Sequence, residues 1–127
     1  MTAPLVGRTV LVVDDDTASR ETLTAILEFQ GAVVLEARAG DEALSRLGII
    51  VPDLVITDIR MPRTSGIELL RAVRGHANQL VATVPMIGIT GFADLVDAMW
   101  EAGFDDVLLK PIRVERVKDA VVRQLTS

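Results

Sequence analysis

Short apolar runs alternate with longer amphipathic runs five times along this chain of 127 residues, and this alternation constrains the fold more than any other feature. The short runs are rich in Val, Ile and Leu on both faces, which is typical of parallel strands that are covered on both sides. We predict strands at 9–13, 32–36, 53–57, 85–89 and 105–109.

The longer runs carry apolar residues at helical spacing. In the last of these runs, Val114, Val117, Val121 and Leu125 recur at intervals of three or four residues. The stretch Ser65–Glu68 has the spacing of a capping box, which marks the start of a helix. We predict helices at 17–30, 40–47, 65–75, 93–102 and 113–125, and a loop at 75–83.

Five successive strand–helix units imply right-handed crossovers and a doubly wound parallel sheet, which is an α/β fold with five helices. Because half of the residues are hydrophobic, the chain has ample material for one core. We expect a single domain over residues 1–127, with its core at about 8–125. In such sheets, functional sites lie at the carboxyl ends of the strands.

Composition excludes several classes of protein. The chain has no cysteine and one histidine, which excludes disulfides, thiolate metal sites and His-cluster metal sites. Its net charge is −5 and no basic stripe is present, so we expect no direct binding to nucleic acid. No apolar run approaches the roughly 20 residues of a membrane span, and no basic-then-apolar leader opens the chain. We therefore expect a cytoplasmic protein without membrane contacts.

Polar residues follow four of the five predicted strands. Asp14–Asp16 come after the first strand, Asp58 after the third, Thr90 after the fourth and Lys110 after the fifth. An aspartate after a strand is often only a helix cap, and we assign that role to Asp16. The agreement of four strand ends indicates a site at one edge of the sheet.

Electrostatics restricts what this cluster binds. Carboxylates about 4 Å apart repel each other by ~4 kcal/mol at an effective dielectric constant of 20. Asp14, Asp15 and Asp58 supply three negative charges, and Lys110 supplies one positive charge. A divalent cation balances the sum, and oxygen ligands without His or Cys select Mg²⁺, Mn²⁺ or Ca²⁺. The sequence therefore predicts a magnesium site, which Mn²⁺ also fits.

Four motifs carry a resemblance to a known family, and they are VLVVDDD, PDLVITDIRMPRTSG, MIGITGF and AGFDDVLLKPI. In this order and spacing, the chain resembles the receiver (CheY-like) domains of bacterial two-component response regulators over about residues 8–124. The resemblance implies a flavodoxin-like sheet with strand order 2-1-3-4-5. It also implies a phosphoacceptor that is regulatory rather than a conventional enzyme, with a histidine kinase or a phosphotransfer protein as phosphodonor.

The resemblance also implies the ligands of the site. Asp58 would be the phosphoacceptor. Asp14 and Asp15 would hold Mg²⁺ together with Asp58 and the backbone carbonyl of Arg60.

Four further expectations concern the surroundings of the phosphoacceptor and the response to phosphorylation. The resemblance implies that Thr90 would bond a phosphoryl oxygen and that Lys110 would pair first with Asp58 and then with the phosphoryl group. It implies a cis peptide bond at Lys110–Pro111. The fourth predicted helix, the fifth strand and the fifth helix would form the face that switches.

The chain departs from the family at one position of that face. The family usually has an aromatic residue three positions before the lysine, and here that residue is Val107. Val96 and Trp100 share a helical face because they are four residues apart. With Val107 they are expected to form an apolar patch that binds a partner or a second copy of the chain. Arg60 and Phe92 are bulky at positions where the family tunes the attacking water, which predicts slow or moderate self-dephosphorylation.

Two alternatives belong to other functional classes. A small Mg²⁺-dependent phosphatase of the haloacid dehalogenase type would share the fold class and the aspartate after the first strand. Its D-x-D-x-[TV] motif fails here at Ala18. The other alternative is a receiver-like interaction module that acts without phosphorylation.

Overall fold

The computed structural model describes residues 3–126 and has a five-stranded, fully parallel sheet with the order β2-β1-β3-β4-β5. The strands are Thr9–Val13 (β1), Val33–Ala37 (β2), Leu54–Asp58 (β3), Met86–Thr90 (β4) and Asp106–Leu109 (β5). The predicted fold class and strand order are confirmed. We call the edge where the strands begin the amino edge, and the edge where they end the carboxyl edge.

Four of the strands begin one residue later than predicted. For three of them, the residue before the strand explains the later start. Asp53, before β3, accepts a hydrogen bond from the Thr9 amide through Oδ2 at 2.8 Å. Asp105, before β5, accepts one from the Met86 amide at 2.8 Å. Pro85, before β4, has no N–H to donate to a neighbouring strand.

The α-helices are Thr17–Phe29 (α1), Gly40–Leu47 (α2), Gly66–Arg74 (α3), Gln79–Ala82 (α4), Val96–Ala102 (α5) and Val114–Leu125 (α6). The predicted capping box is confirmed at the start of α3, where Ser65 and Glu68 bond each other's backbone amides through their side chains. Ahead of α5, the residues Ala93–Leu95 form a 3₁₀-helix. Among the described residues, no helix is both long and apolar enough to cross a membrane.

The prediction of a loop at 75–83 is wrong in part, because α4 lies within it. Asn78 caps this helix by accepting a hydrogen bond from the Leu80 amide at 2.9 Å. Val81 and Ala82 are buried. Tertiary burial therefore stabilises one helical turn that shows no periodicity of its own.

Apolar side chains cover both faces of the sheet. Leu27 and Val121 belong to the cluster on the face covered by α1 and α6. Leu47, Leu70 and Met99 belong to the cluster on the face covered by α2, α3 and α5. The two layers fix the strands between them, and the strands in turn fix the residues at the carboxyl edge.

Candidate functional site

The carboxyl edge brings together polar residues from four strands. Asp58 is the last residue of β3 and Thr90 is the last residue of β4. Asp14 directly follows β1, and Lys110 directly follows β5. Since β1, β3, β4 and β5 are consecutive neighbours in the sheet, these residues lie side by side.

Lys110 contacts two carboxylates at once. Its Nζ lies 3.4 Å from Oδ1 of Asp58 and 3.5 Å from Oδ2 of Asp14. The two carboxylate side chains are only 11% and 7% exposed, respectively. The Lys110 amide donates to the Thr90 carbonyl at 2.7 Å, and the Lys110–Pro111 peptide bond is cis. A single ammonium group is therefore the shared ion-pair partner of two largely buried carboxylates.

A third carboxylate completes an acidic cluster. One oxygen from each of Asp14, Asp15 and Asp58 lies within 4.8 Å of the others. Asp15 is exposed, so the cluster opens to solvent on one side. Three carboxylates without His or Cys form a donor set that fits a hard divalent cation such as Mg²⁺ or Mn²⁺. The part of the Arg60 carbonyl in this ligand set stays a prediction.

The surroundings of the two inner acids disfavour their charged forms. Burial raises the pKa of Asp14, against the lowering effects of a hydrogen bond from the Asp16 amide and of the Lys110 charge. Burial also raises the pKa of Asp58, and the nearby charge of Asp14 raises it further, while Lys110 opposes both. A bound cation would relieve this electrostatic strain.

The loop between β1 and α1 is ordered by its own aspartates. Oδ1 of Asp14 accepts a hydrogen bond from the Asp16 amide at 2.9 Å. Asp16 in turn accepts one from the Ser19 amide at 2.8 Å, which confirms its predicted role as the cap of α1. The hydrogen bonding to Ser19 lowers the pKa of Asp16. The three consecutive aspartates therefore divide into two cluster members and one helix cap.

The backbone of Asp58 is packed against Gly66. A Cβ atom at Gly66 would collide with the Asp58 carbonyl oxygen. The Gly66 amide donates to the Ile59 carbonyl at 2.8 Å, and the Thr57 hydroxyl donates to the Asp58 carbonyl at 2.8 Å. The absence of a side chain at Gly66 thus allows α3 to begin directly against the end of β3.

Thr90 and the two bulky residues lie beside this cluster. Thr90 is 1% exposed, and its Oγ1 accepts a hydrogen bond from the Phe92 amide at 3.1 Å. The guanidinium carbon of Arg60 lies 4.2 Å from the centre of the Phe92 ring, which is cation–π geometry. The loops that follow β3 and β4 therefore contact each other next to the acidic cluster.

The residues of the predicted switch patch lie on α5 and β5. Trp100 is 49% exposed. Val96 and Val107 are half-buried, and Val107 packs against the core beneath α5. Trp100 is thus the most accessible of the three, and the role of the patch in partner binding stays a prediction.

The sequence interpretation missed Arg20. Its side chain is 10% exposed and donates to the Asp14 carbonyl at 2.8 Å and to Glu36 at 3.0 Å. A signal was available, because Arg20 precedes Leu23 by three residues and Leu27 by seven. That spacing places the arginine on the buried face of α1.

Comparison with known proteins agrees with this geometry. The sequence model of the family described as the response regulator receiver domain matches residues 10–122. The Regulator of RpoS from Escherichia coli is 38% identical over 122 residues, which cover 95% of this chain and 36% of that protein. The chain therefore spans about a third of the length of this relative.

Two solved structures are similar over nearly the whole chain. The chemotaxis response regulator CheY4 of Vibrio cholerae has a TM-score of 0.83 at 28% identity, covering 93% of this chain and 98% of that one. The signal receiver domain of a signal transduction histidine kinase from Syntrophus aciditrophicus has a TM-score of 0.85 at 33% identity, covering 94% and 91%. This chain belongs to the response regulator receiver domain family. It is a regulatory domain of the two-component type.

Proposed function

We propose that this receiver domain accepts a phosphoryl group on Asp58 from a phosphohistidine of a histidine kinase or a phosphotransfer protein. The observation that carries the proposal is the contact of the Lys110 ammonium with Asp58, 3.4 Å away, within a cluster of three carboxylates. The side chain of Asp58 is largely buried but lies beside the exposed Asp15. The Asp58 carboxylate is therefore held in place and can still be reached by a phosphodonor from the solvent.

The transfer forms one bond and breaks one. A carboxylate oxygen of Asp58 bonds to phosphorus while the P–N bond of the donor breaks, and the electron pair of that bond goes to the imidazole nitrogen. Lys110 neutralises charge on the phosphoryl oxygens. The Thr90 hydroxyl donates a hydrogen bond to one of these oxygens. A bound Mg²⁺, held by Asp14, Asp15 and Asp58, would supply further neutralisation of that charge.

Phosphorylation would switch the face formed by α5, β5 and α6. The phosphoryl group brings about two negative charges and three acceptor oxygens, and it replaces the single negative charge of the Asp58 carboxylate. Thr90 would move toward these oxygens and carry the loop before α5 with it. The face that responds includes Val96, Trp100 and Val107, and we propose that it binds a protein partner or a second copy of the chain.

The contact between Arg60 and Phe92 bears on the lifetime of the phosphoryl group. Arg60 and Phe92 each follow a residue of the site, Asp58 and Thr90, by two positions, and we propose that their paired side chains restrict the approach of water to Asp58. We expect slow or moderate self-dephosphorylation, and a faster loss in Phe92→Ala, measured by the decay of the phosphorylated mass after donor removal. A phosphoryl half-life of seconds in the wild type would contradict this expectation.

The proposal is tested by the intact mass after incubation with acetyl phosphate or phosphoramidate. We expect a single phosphoryl adduct that requires Mg²⁺, disappears with EDTA and is absent from Asp58→Asn. No adduct with either donor, while Mg²⁺ binding is measured by calorimetry, would favour an interaction module that acts without phosphorylation. Turnover of a generic phosphate ester would favour the phosphatase alternative.

A further inference from the structure

We propose that Arg20 is a positioning residue that holds the acidic loop between β1 and α1 in the shape that binds the divalent cation. This inference rests on the proposed function, because it concerns the same cation site. Arg20 is 9% exposed, although arginine is rarely buried unless it is paired. A guanidinium in this position needs partners, and its partners lie at the site.

Arg20 ties α1 to the ends of two strands. Its Nη1 donates to the backbone carbonyl of Asp14 at 2.8 Å in a buried contact. Its Nε donates to Oε1 of Glu36 in β2 at 3.0 Å. The Asp14 amide donates to the Ala37 carbonyl at 3.1 Å, so both backbone polar groups of Asp14 are held. The carboxylate of Asp14 therefore projects from a fixed point.

Glu36 removes an electrostatic conflict. An uncompensated guanidinium beside a cation site would repel the cation. Because the Glu36 carboxylate pairs with Arg20 at 3.0 Å, the arginine supplies hydrogen bonds with little net charge. Glu36 is outside the acidic cluster, and yet its charge is expected to affect cation binding through Arg20.

The chain offers a matched control at the amino edge. Arg74 donates to the Ala82 and Val84 carbonyls at 3.0 and 2.7 Å and to Asp105 at 3.1 Å. It therefore has the same kinds of partner as Arg20, namely backbone carbonyls and one carboxylate. Substituting Arg74 tests the general effect of losing such contacts, away from the cation site.

The experiment compares Arg20→Lys, Glu36→Gln and Arg74→Lys with the wild type. The Mg²⁺ dissociation constant is measured from backbone amide shifts during a titration, and stability is measured by urea unfolding without Mg²⁺. We expect Arg20→Lys to weaken Mg²⁺ binding about 10-fold, as outer-shell substitutions typically do, and Glu36→Gln to weaken it less. Arg74→Lys should lose stability but keep its Mg²⁺ affinity within about twofold, because distant sites act independently.

The rate of phosphorylation by acetyl phosphate distinguishes an effect of Arg20 on cation binding from an effect on phosphoryl transfer itself. Because Arg20→Lys retains Asp58 and Lys110, its rate at saturating Mg²⁺ should stay close to that of the wild type, while its half-saturating Mg²⁺ concentration rises. Equal stability losses in Arg20→Lys and Arg74→Lys with unchanged Mg²⁺ affinity would overturn the inference. If Arg20→Lys does not fold, the Mg²⁺ affinity of Glu36→Gln provides the test. An affinity equal to that of the wild type in this variant would overturn the inference.

The same data distinguish this inference from the proposed function. A wild type that binds no Mg²⁺ and forms no adduct would remove the proposed function and the inference with it. A wild type that binds Mg²⁺ and forms the adduct, beside an Arg20→Lys variant that binds Mg²⁺ equally well, would remove the inference alone.

Discussion

The two edges of the sheet differ in how their carboxylates are paired with cations. At the amino edge, Asp53 and Asp105 each accept a hydrogen bond from a backbone amide and each has its own arginine nearby. At the carboxyl edge, Asp14 and Asp58 share the ammonium of Lys110 and are held where burial raises their pKa values. Each amino-edge carboxylate has a cation of its own, whereas the two inner carboxylates of the carboxyl edge share one, and this difference separates a structural edge from a functional one.

The largest effect is expected at the structural edge, from Asp105→Ala. This substitution leaves the Met86 amide without its acceptor and Arg74 without its carboxylate. We expect the free energy of unfolding to fall by about 2–3 kcal/mol, measured by urea denaturation. Glu101→Ala, an exposed change on α5, is the control. Equal losses in the two variants would contradict a structural role for the Asp105 carboxylate.

At the functional edge, the effect should depend on pH. Because the folded-state pKa values of Asp14 and Asp58 are raised, the folded protein holds protons that the unfolded chain has released. The stability that these two groups contribute is therefore lost as the pH rises from the ordinary carboxyl value of 3.8 through the raised pKa values.

This pH effect is measured by difference. Without Mg²⁺, the double variant Asp14→Asn/Asp58→Asn should gain stability relative to the wild type as the pH rises from about 4 to about 7. Urea unfolding at a series of pH values gives the difference. An advantage that shrinks with rising pH would show that the two carboxylates are stabilised by their surroundings.

The same Asp→Asn substitution should change the free energy of unfolding in opposite directions at the two edges. Without Mg²⁺, Asp14→Asn should raise the free energy of unfolding by about 1 kcal/mol, because one attraction to Lys110 is lost together with two repulsions. The amide oxygen can still accept the Asp16 hydrogen bond. Asp53→Asn should instead lower stability. Losses in both variants during urea unfolding would contradict the distinction between the edges.

The smallest effect is expected from Arg8→Gln at the amino edge. Arg8 lies 3.8 Å from Asp53, and both side chains are well exposed, at 44% and 39%. Such pairs contribute little, so stability should change by about 0.5 kcal/mol or less in urea unfolding. A larger loss would show that the contacts of Arg8, which include a hydrogen bond to the Leu125 carbonyl at 3.1 Å, contribute more to stability than an exposed ion pair does.

The fold and the cluster could be predicted because they follow from local patterns. Apolar strand periodicity gives a parallel sheet, and a parallel sheet places residues such as Asp58 and Lys110 at one edge. The missed features depend on tertiary contacts. Arg20 finds Glu36 at a sequence distance of 16 residues, through the pairing of β1 with β2. Helix α4 depends on the burial of Val81.

The most direct test of the comparison is a map of backbone amide shifts on addition of Mg²⁺ to the wild-type protein. We expect shifts concentrated at 14–16, 58–60 and 110, with Asp53 and Asp105 unchanged. Shifts at the amino-edge aspartates, or no shifts at the carboxyl edge at millimolar Mg²⁺, would contradict the claim that the carboxyl edge is a divalent cation site.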